Sequence, residues 1–394
     1  MEKSHILPIH KRLDVAFTRG KGVYIYDDKN KEYLDFGAGI AVNSLGHCHP
    51  KLVKTIKAQA SKLWHVSNCY HINELEELAS LLTKNTFADY AFFCNSGAEA
   101  VECAIKMIRK YFYDKKEKKF EIITFKGSFH GRTLATISAS NNEKFLEGFE
   151  PRLEGFKSAI FNDIKSVKKL INKHTAAILV EPIQGEGGII PADREFMKEL
   201  RQLADENGLL LALDEVQSGA GRTGYFYAYE YYGIKPDILA SAKGIGGGFP
   251  VGICLSTANA ASGMVVGTHG TTYGGNPLAM KVTQTVVEKL LEKGFLGKVK
   301  KNGNYFISQL NILKKEFPQI IKEVRGIGLM IGVELHEKYN NVRFVELLKD
   351  YGLLGIPASK NSVRLIPPLI VTNKDIKKAI NILRSTLMKQ QEQI

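Results

Sequence analysis

The chain has no apolar run of transmembrane length, so no bilayer-spanning helix is predicted. Its first residues, Met1 to Pro8, hold no long apolar stretch either, and a cytoplasmic protein is expected. Cysteine is scarce and odd in number: Cys48, Cys69, Cys94, Cys103 and Cys254, with no CxxC. That excludes a disulfide framework and fits free thiols in a reducing compartment. His47-Cys48-His49 gathers ligating side chains, but no second such group stands at ligand spacing, so no metal is predicted. Internal repeats and low-complexity segments are absent. GxxxxGK[ST] is missing too, so the acidic strand Leu209 to Glu215 is not that of a phosphate-loop NTPase. Acidic residues are fewer than basic ones, 41 against 54, for a net charge of +13. The lysines are scattered among acids, as in Asp114-Lys-Lys-Glu-Lys-Lys119, with no aromatic-interleaved basic stripe. They read as solvated faces, not as a nucleic-acid surface. Attraction of anionic substrates is the milder consequence.

What is there is an alternating α/β pattern. The 394 residues are 44% hydrophobic and 24% charged, ordinary for a soluble globular chain long enough for two domains. Residues 22–27 and 31–36 read as a hairpin around Asp27-Asp28-Lys29-Asn30. Strands are predicted at Phe120 to Phe125, Ala176 to Val180, Leu209 to Leu213 and Val251 to Leu255. Helices fall between them, such as Phe196 to Asn207, ended by Gly208. A doubly wound, mainly parallel sheet is expected over residues 53–281. The amphipathic stretch from Leu278 to Lys293 leads into an α+β tail over residues 282–394, with strands near Leu329 to Leu335 and Val363 to Ile366. The hairpin segment, residues 1–52, has no core of its own and is expected to join that tail as a small domain.

Chemistry concentrates where apolar runs end. Leu209-Leu-Leu-Ala-Leu-Asp-Glu215 ends on Asp214, and Pro236-Asp-Ile-Leu-Ala-Ser-Ala-Lys243 on Lys243. Ligands of open α/β sheets bind beyond the carboxyl ends of the strands, so one crevice receives a carboxylate and an amine. Pyridoxal phosphate needs both: a lysine for the Schiff base and an acid to keep the pyridine nitrogen protonated. Cys94-Asn-Ser-Gly-Ala-Glu99 opens an amphipathic helix. Ser96 and Glu99 stand at capping-box spacing, and Gly97 admits a close backbone. Alone this is an ordinary capped helix; beside Asp214 and Lys243 it reads as a phosphate site. In Phe125-Lys-Gly-Ser-Phe-His-Gly-Arg-Thr133, Phe129 suits stacking on an aromatic cofactor or plain core packing, and Arg132 suits a bidentate carboxylate clamp. Glu181-Pro-Ile-Gln-Gly-Glu-Gly-Gly188 ends a strand with two carboxylates. Arg364, before two prolines, reads by itself as a surface ion pair. Gly219-Ala-Gly-Arg-Thr-Gly224 matches the dinucleotide fingerprint, but aromatics follow it in place of a helix start and no acid stands about 20 residues on.

Taken together these stretches resemble the class-III pyridoxal-phosphate aminotransferases of fold type I. The most specific is Leu213-Asp-Glu-Val-Gln-Ser-Gly-Ala-Gly-Arg-Thr-Gly224, continued through Lys243 to Pro250. Asn95 to Ala100, Gly46-His-Cys-His-Pro50, His269-Gly-Thr-Thr-Tyr-Gly-Gly-Asn-Pro277 and Arg325-Gly-Ile-Gly-Leu329 add to it. The resemblance implies that Lys243 carries the cofactor as a Schiff base and then moves the proton, and that Asp214 pairs with the pyridine nitrogen. It implies that Phe129 stacks on the ring, Gln217 bonds the phenolic oxygen, and Ser96, Gly97 and Ala98 hold the phosphate. Thr272 is expected at the phosphate of the partner subunit, which makes the enzyme a homodimer. Arg364 is expected to bind the α-carboxylate of glutamate or 2-oxoglutarate, with Glu186 masking it when the other donor is bound. Arg132 takes the remaining carboxylate.

Asp35-Phe-Gly-Ala-Gly-Ile-Ala-Val-Asn-Ser-Leu-Gly46, Phe145 to Phe156 and Phe161-Asn-Asp163 are most similar to the acetylornithine branch. The reaction implied is N-acetylornithine with 2-oxoglutarate, giving N-acetylglutamate semialdehyde and glutamate. Ile40 stands where ornithine aminotransferases carry a tyrosine, and His10 where this branch is expected to carry one. N-succinyl-diaminopimelate, ornithine and 4-aminobutyrate remain alternative donors, with an aminomutase as a further alternative.

Overall fold

The computed structural model describes residues 5–392. Its centre is a seven-stranded sheet in the spatial order Tyr90–Cys94, Gly252–Ser256, Ile238–Ala242, Leu210–Asp214, Thr175–Val180, Glu121–Phe125, Phe156–Ala159. Six strands run parallel. Gly252–Ser256 alone is antiparallel to both of its neighbours. Thr175–Val180, Leu210–Asp214 and Ile238–Ala242 are buried at every position, as apolar strands covered on both faces must be. Each strand of this sheet that the sequence predicts is present, displaced by a single residue at one or both ends. The edge strand Phe156–Ala159 was not read, because its polar Lys157 and Ser158 break the apolar pattern.

Helices cover both faces. Gly97–Asp114 buries Val101, Ile105, Ile108 and Phe112 on the sheet. Arg194–Glu206 covers the other face with Phe196, Met197 and Leu200, and Gly208 ends it in the left-handed region at φ +58°. Helices Pro277–Leu291 and Phe295–Glu316 lead out of the sheet.

Two four-stranded sheets flank this body. One joins Phe17–Lys21, Tyr24–Asp27 and Glu32–Asp35 to Leu353–Leu354 of the tail, with Leu353 beside Leu34. The expected hairpin is its centre. Phe17–Lys21, exposed and rich in basic residues, gave no strand pattern in the sequence. The other sheet runs Ile321–Ile327, Met330–Leu335, Ser362–Leu365, Ile356–Ala358. Its register places Arg325 opposite Gly332, and Gly332 opposite Arg364. Among the described residues no helix is long and apolar enough to cross a membrane.

Candidate active site

A cavity of about 420 Å³ opens at the carboxyl ends of the parallel strands. Asp214 closes its strand there, and Lys243 follows directly on Ile238–Ala242. Lys243 holds φ +51°, a left-handed conformation that costs a non-glycine residue roughly 1 kcal/mol or more. Its amine has no hydrogen-bond or ion-pair partner among the described residues. Burial lowers its pKa, opposed by the charges of Asp214 and Glu186 and reinforced by Arg364. Burial therefore shifts the amine toward its neutral form at the cavity wall.

Asp214 is 4% exposed. Its Oδ1 accepts the Val216 N–H at 3.0 Å, and its Oδ2 lies 2.7 Å from His130 Nδ1. Burial would lower the His130 pKa, but the hydrogen bond and charge of Asp214, with Glu181, raise it. The imidazolium form of His130 is thereby favoured beside the Asp214 carboxylate. Glu181 accepts N–H bonds from Phe129 at 3.0 Å and Gly185 at 3.2 Å, and burial pushes its pKa up to about 7. Neither role of His130 nor of Glu181 was read from the sequence. The available signal was that both stand at strand-end turns, His130 next to Phe129.

One part of the cavity wall is the start of helix Gly97–Asp114. Ser96 caps it, accepting the Glu99 N–H at 3.3 Å and donating its hydroxyl to the Glu99 carboxylate at 2.9 Å. Glu99 reaches back to the Asn95 N–H at 2.9 Å, one residue before the usual capping-box partner. The Gly97 and Ala98 amides, which have no intrahelical acceptor, face the cavity. A Cβ on Gly97 would stand 2.7 Å from Val216, and one on Gly252 only 2.1 Å from the Ser96 carbonyl. Glycine at both positions lets this turn sit on the sheet. Gln217 also lines the cavity, and a Cβ on Gly185 would come within 2.6 Å of its amide.

The two arginines differ sharply. Arg364 is 2% exposed, not the surface residue it resembles in isolation, because its strand sits inside the second small sheet. Its Nη1 lies 2.6 Å from Glu186 Oε1 and 3.5 Å from Gln217 Oε1. Its Nη2 donates to the Pro357 carbonyl at 3.4 Å, and its buried Nε has no partner among the described residues. Arg364 thus meets the cavity through Glu186 and Gln217, both of which line it. Arg132 lines the cavity directly and is exposed. No ion pair holds it among the described residues. Its guanidinium stands 3.9 Å from the Phe145 ring centre and 5.6 Å from that of Phe129. Phe129 and Phe145 meet edge-on at 5.9 Å.

Nine of the eleven expected residues line this one cavity: Ser96, Gly97, Ala98, Phe129, Arg132, Glu186, Asp214, Gln217 and Lys243. Thr272 is exposed and stands outside it. Ile40 is 37% exposed at φ +63°, and His10 is exposed in an irregular segment. His47 pairs with Asp35 at 2.7 Å.

Fold and site define a fold type I pyridoxal-phosphate-dependent transferase. The chain belongs to the class-III aminotransferases, whose family model matches residues 8–387. It is 53% identical to the acetylornithine aminotransferase of Agrobacterium fabrum over 94% of this chain and 92% of that one. It resembles the crystal structure of the Stenotrophomonas maltophilia N-acetylornithine aminotransferase, with a TM-score of 0.85 at 34% identity over 97% of each chain. It also resembles the Toxoplasma gondii ornithine aminotransferase, with a TM-score of 0.95 at 29% identity over 99% of this chain and 94% of that one. Class-III aminotransferases use pyridoxal phosphate. The residues fit it: open amides at one end, an unpartnered amine in the middle, and a carboxylate backed by a buried histidine.

Proposed function

We propose that this enzyme transfers the terminal amine of N-acetylornithine to 2-oxoglutarate, yielding N-acetylglutamate semialdehyde and glutamate, as a step in making arginine. The observation that carries the reading is the Glu186–Arg364 pair at 2.6 Å, in a cavity also lined by Arg132, which has no carboxylate partner among the described residues. Transamination asks one pocket to take two unlike substrates in turn. A buried arginine left without a counter-charge is costly, so a movable carboxylate covers Arg364 for the donor and yields it to the α-carboxylate of glutamate. Arg132 stays open for the carboxylate that remains. The printed names of the relatives support the same donor.

Bound here, pyridoxal phosphate would supply an electron sink for the carbanion left when the substrate C–H bond breaks. Lys243 is the base that takes the proton and returns it, and its depressed pKa suits that work. Asp214, backed by His130, would hold the ring nitrogen protonated. Phe129 would stack on the ring, and Gln217 would bond its oxygen. Ser96, Gly97 and Ala98 would hold the phosphate, joined by Thr272 of the partner subunit. A homodimer is supported by the exposed side chains of Trp64, Tyr70, Val266 and Tyr273 around the Thr272 loop, which Asn68 fastens through the Thr271 carbonyl at 3.2 Å. We place the protein in the cytoplasm. We assign residues 53–281 to the large domain and residues 1–52 and 282–394 to the small one, of which 1–4 and 393–394 lie outside the described residues.

The close shape match to an ornithine aminotransferase favours ornithine as the second reading. Ile40 disfavours it, having no polar group for a free α-ammonium. Single half-turnovers separate the readings. N-acetylornithine, ornithine, 4-aminobutyrate and N-succinyl-diaminopimelate are added separately, and the visible band of the lysine-bound cofactor is followed. Rapid bleaching by N-acetylornithine, reversed by 2-oxoglutarate, is expected. Faster bleaching by another amine would reassign the donor. Bleaching without recovery by 2-oxoglutarate would point to an aminomutase.

A further inference from the structure

Arg325 lies outside the cavity, yet every nitrogen of its guanidinium is engaged. Nε donates to the Gly188 carbonyl at 3.0 Å and the Ile189 carbonyl at 3.1 Å. Nη2 donates to the Gly188 carbonyl at 2.8 Å and to Ser362 Oγ at 2.7 Å. Nη1 meets the carboxylates of Glu323, at 2.7 Å, and Glu334. Gly188 and Ile189 stand just after Glu186, and Ser362 stands on the same strand as Arg364. One guanidinium therefore ties the loop carrying Glu186 to the strand carrying Arg364.

The sheet register explains how. Arg325, Gly332 and Arg364 form a row across three antiparallel strands. Directly opposed residues share a face. The middle position has no side chain, and a Cβ there would stand 2.9 Å from Ile189 Cβ and 3.0 Å from the Gly188 carbonyl. The loop lies on that bare backbone with an arginine on either side. Arg364 takes the Glu186 side chain, while Arg325 takes the carbonyls behind it. The Ser359 N–H adds a bond to the Glu186 carbonyl at 3.0 Å.

We propose that Arg325 is a positioning residue for the Glu186–Arg364 pair, setting the enzyme's preference between its two substrate classes. It clamps the loop backbone, so that the Glu186 carboxylate leaves and rejoins Arg364 by side-chain rotation alone. Charge-assisted bonds to two successive carbonyls suit that task. Without them the loop lifts, Glu186 covers Arg364 less, and glutamate gains over the N-acylated donor. The proposal rests on reading the pair as the substrate switch.

The test measures kcat/KM of the glutamate and N-acetylornithine half-reactions by single turnover, with cofactor affinity from titration of the visible band. The variants are Arg325→Lys, Gly332→Ala, Glu186→Ala and the double Arg325→Lys/Glu186→Ala. Arg325→Lys is expected to shift the ratio of the two half-reactions toward glutamate by about threefold to tenfold, with cofactor affinity kept. Gly332→Ala should shift it the same way with Arg325 intact, by lifting the loop. On the Glu186→Ala background, Arg325→Lys should move the ratio by less than about twofold, because the group it positions is gone. An equal loss in both half-reactions, or the same shift with and without Glu186, would overturn the proposal. If Glu186→Ala itself leaves the ratio unchanged, the switch reading falls, and the proposal with it. Should Arg325→Lys fail to fold, Gly332→Ala decides: an unchanged ratio overturns the proposal.

Discussion

The two arginines of the cavity solve carboxylate recognition in opposite ways. Arg364 is buried and carries its own counter-ion at 2.6 Å. Arg132 is exposed and rests against the faces of Phe145 and Phe129. A buried guanidinium needs a partner at all times, so an incoming carboxylate must displace one. An exposed guanidinium on aromatic faces has water as its default partner and accepts any carboxylate without competition. The lesson is that selectivity belongs to the paired arginine and general affinity to the cushioned one.

The largest test removes what both arginines serve. Lys243→Ala should abolish turnover with every substrate while still binding cofactor, measured by steady-state rates and cofactor titration. Ordinary turnover would end the assignment. Next, Arg364→Ala should cost the glutamate half-reaction about a hundredfold or more and the N-acetylornithine half-reaction far less. Arg132→Leu should weaken both. Single-turnover rates that fell equally for the two substrates in Arg364→Ala would erase the distinction drawn here. Glu186→Ala then sharpens it: with Arg364 uncovered, preference for glutamate over the N-acylated donor should rise by about tenfold. Competition between the two substrates measures this.

The smallest effect lies away from the cavity, at a buried carboxyl that accepts two backbone N–H groups. Glu215 accepts the N–H groups of Ala228 and Tyr229, and burial raises its pKa to about 8. A raised pKa means the folded state holds the proton more tightly than the unfolded one. Its contribution to stability is full below about pH 4.5 and declines as pH rises toward 8. Glu215→Gln should flatten that decline between pH 5 and 8, read from urea midpoints. A wild-type midpoint that does not fall over this range would contradict the shift.

Lys243 and Asp214 were legible because each ends a long apolar run, and strand ends point ligand-binding groups at the crevice. The Ser96 cap was legible from local spacing. His130 was not, since nothing local signals that it meets a residue far along the chain on a neighbouring strand. The burial of Arg364 was equally hidden. It follows from a register that sets Arg325, Gly332 and Arg364 side by side, and register is a property of paired strands, not of either sequence alone. Phe156–Ala159 and Phe17–Lys21 were lost for a simpler reason: edge strands carry polar residues, so their periodicity is weak.

The one reversed strand of the large sheet bears on Lys243. Ile238–Ala242 and Gly252–Ser256 lie side by side, so residues 243–251 form the arch between two hydrogen-bonded neighbours. A crossover after a parallel strand would leave the lysine tethered firmly at one end only. Here both feet of the arch stand in the same sheet, and the amine is carried on a span of fixed length. Such a span tolerates changes of side chain far better than changes of length. An insertion or deletion within it would move the reactive nitrogen even if every other residue of the cavity stayed in place.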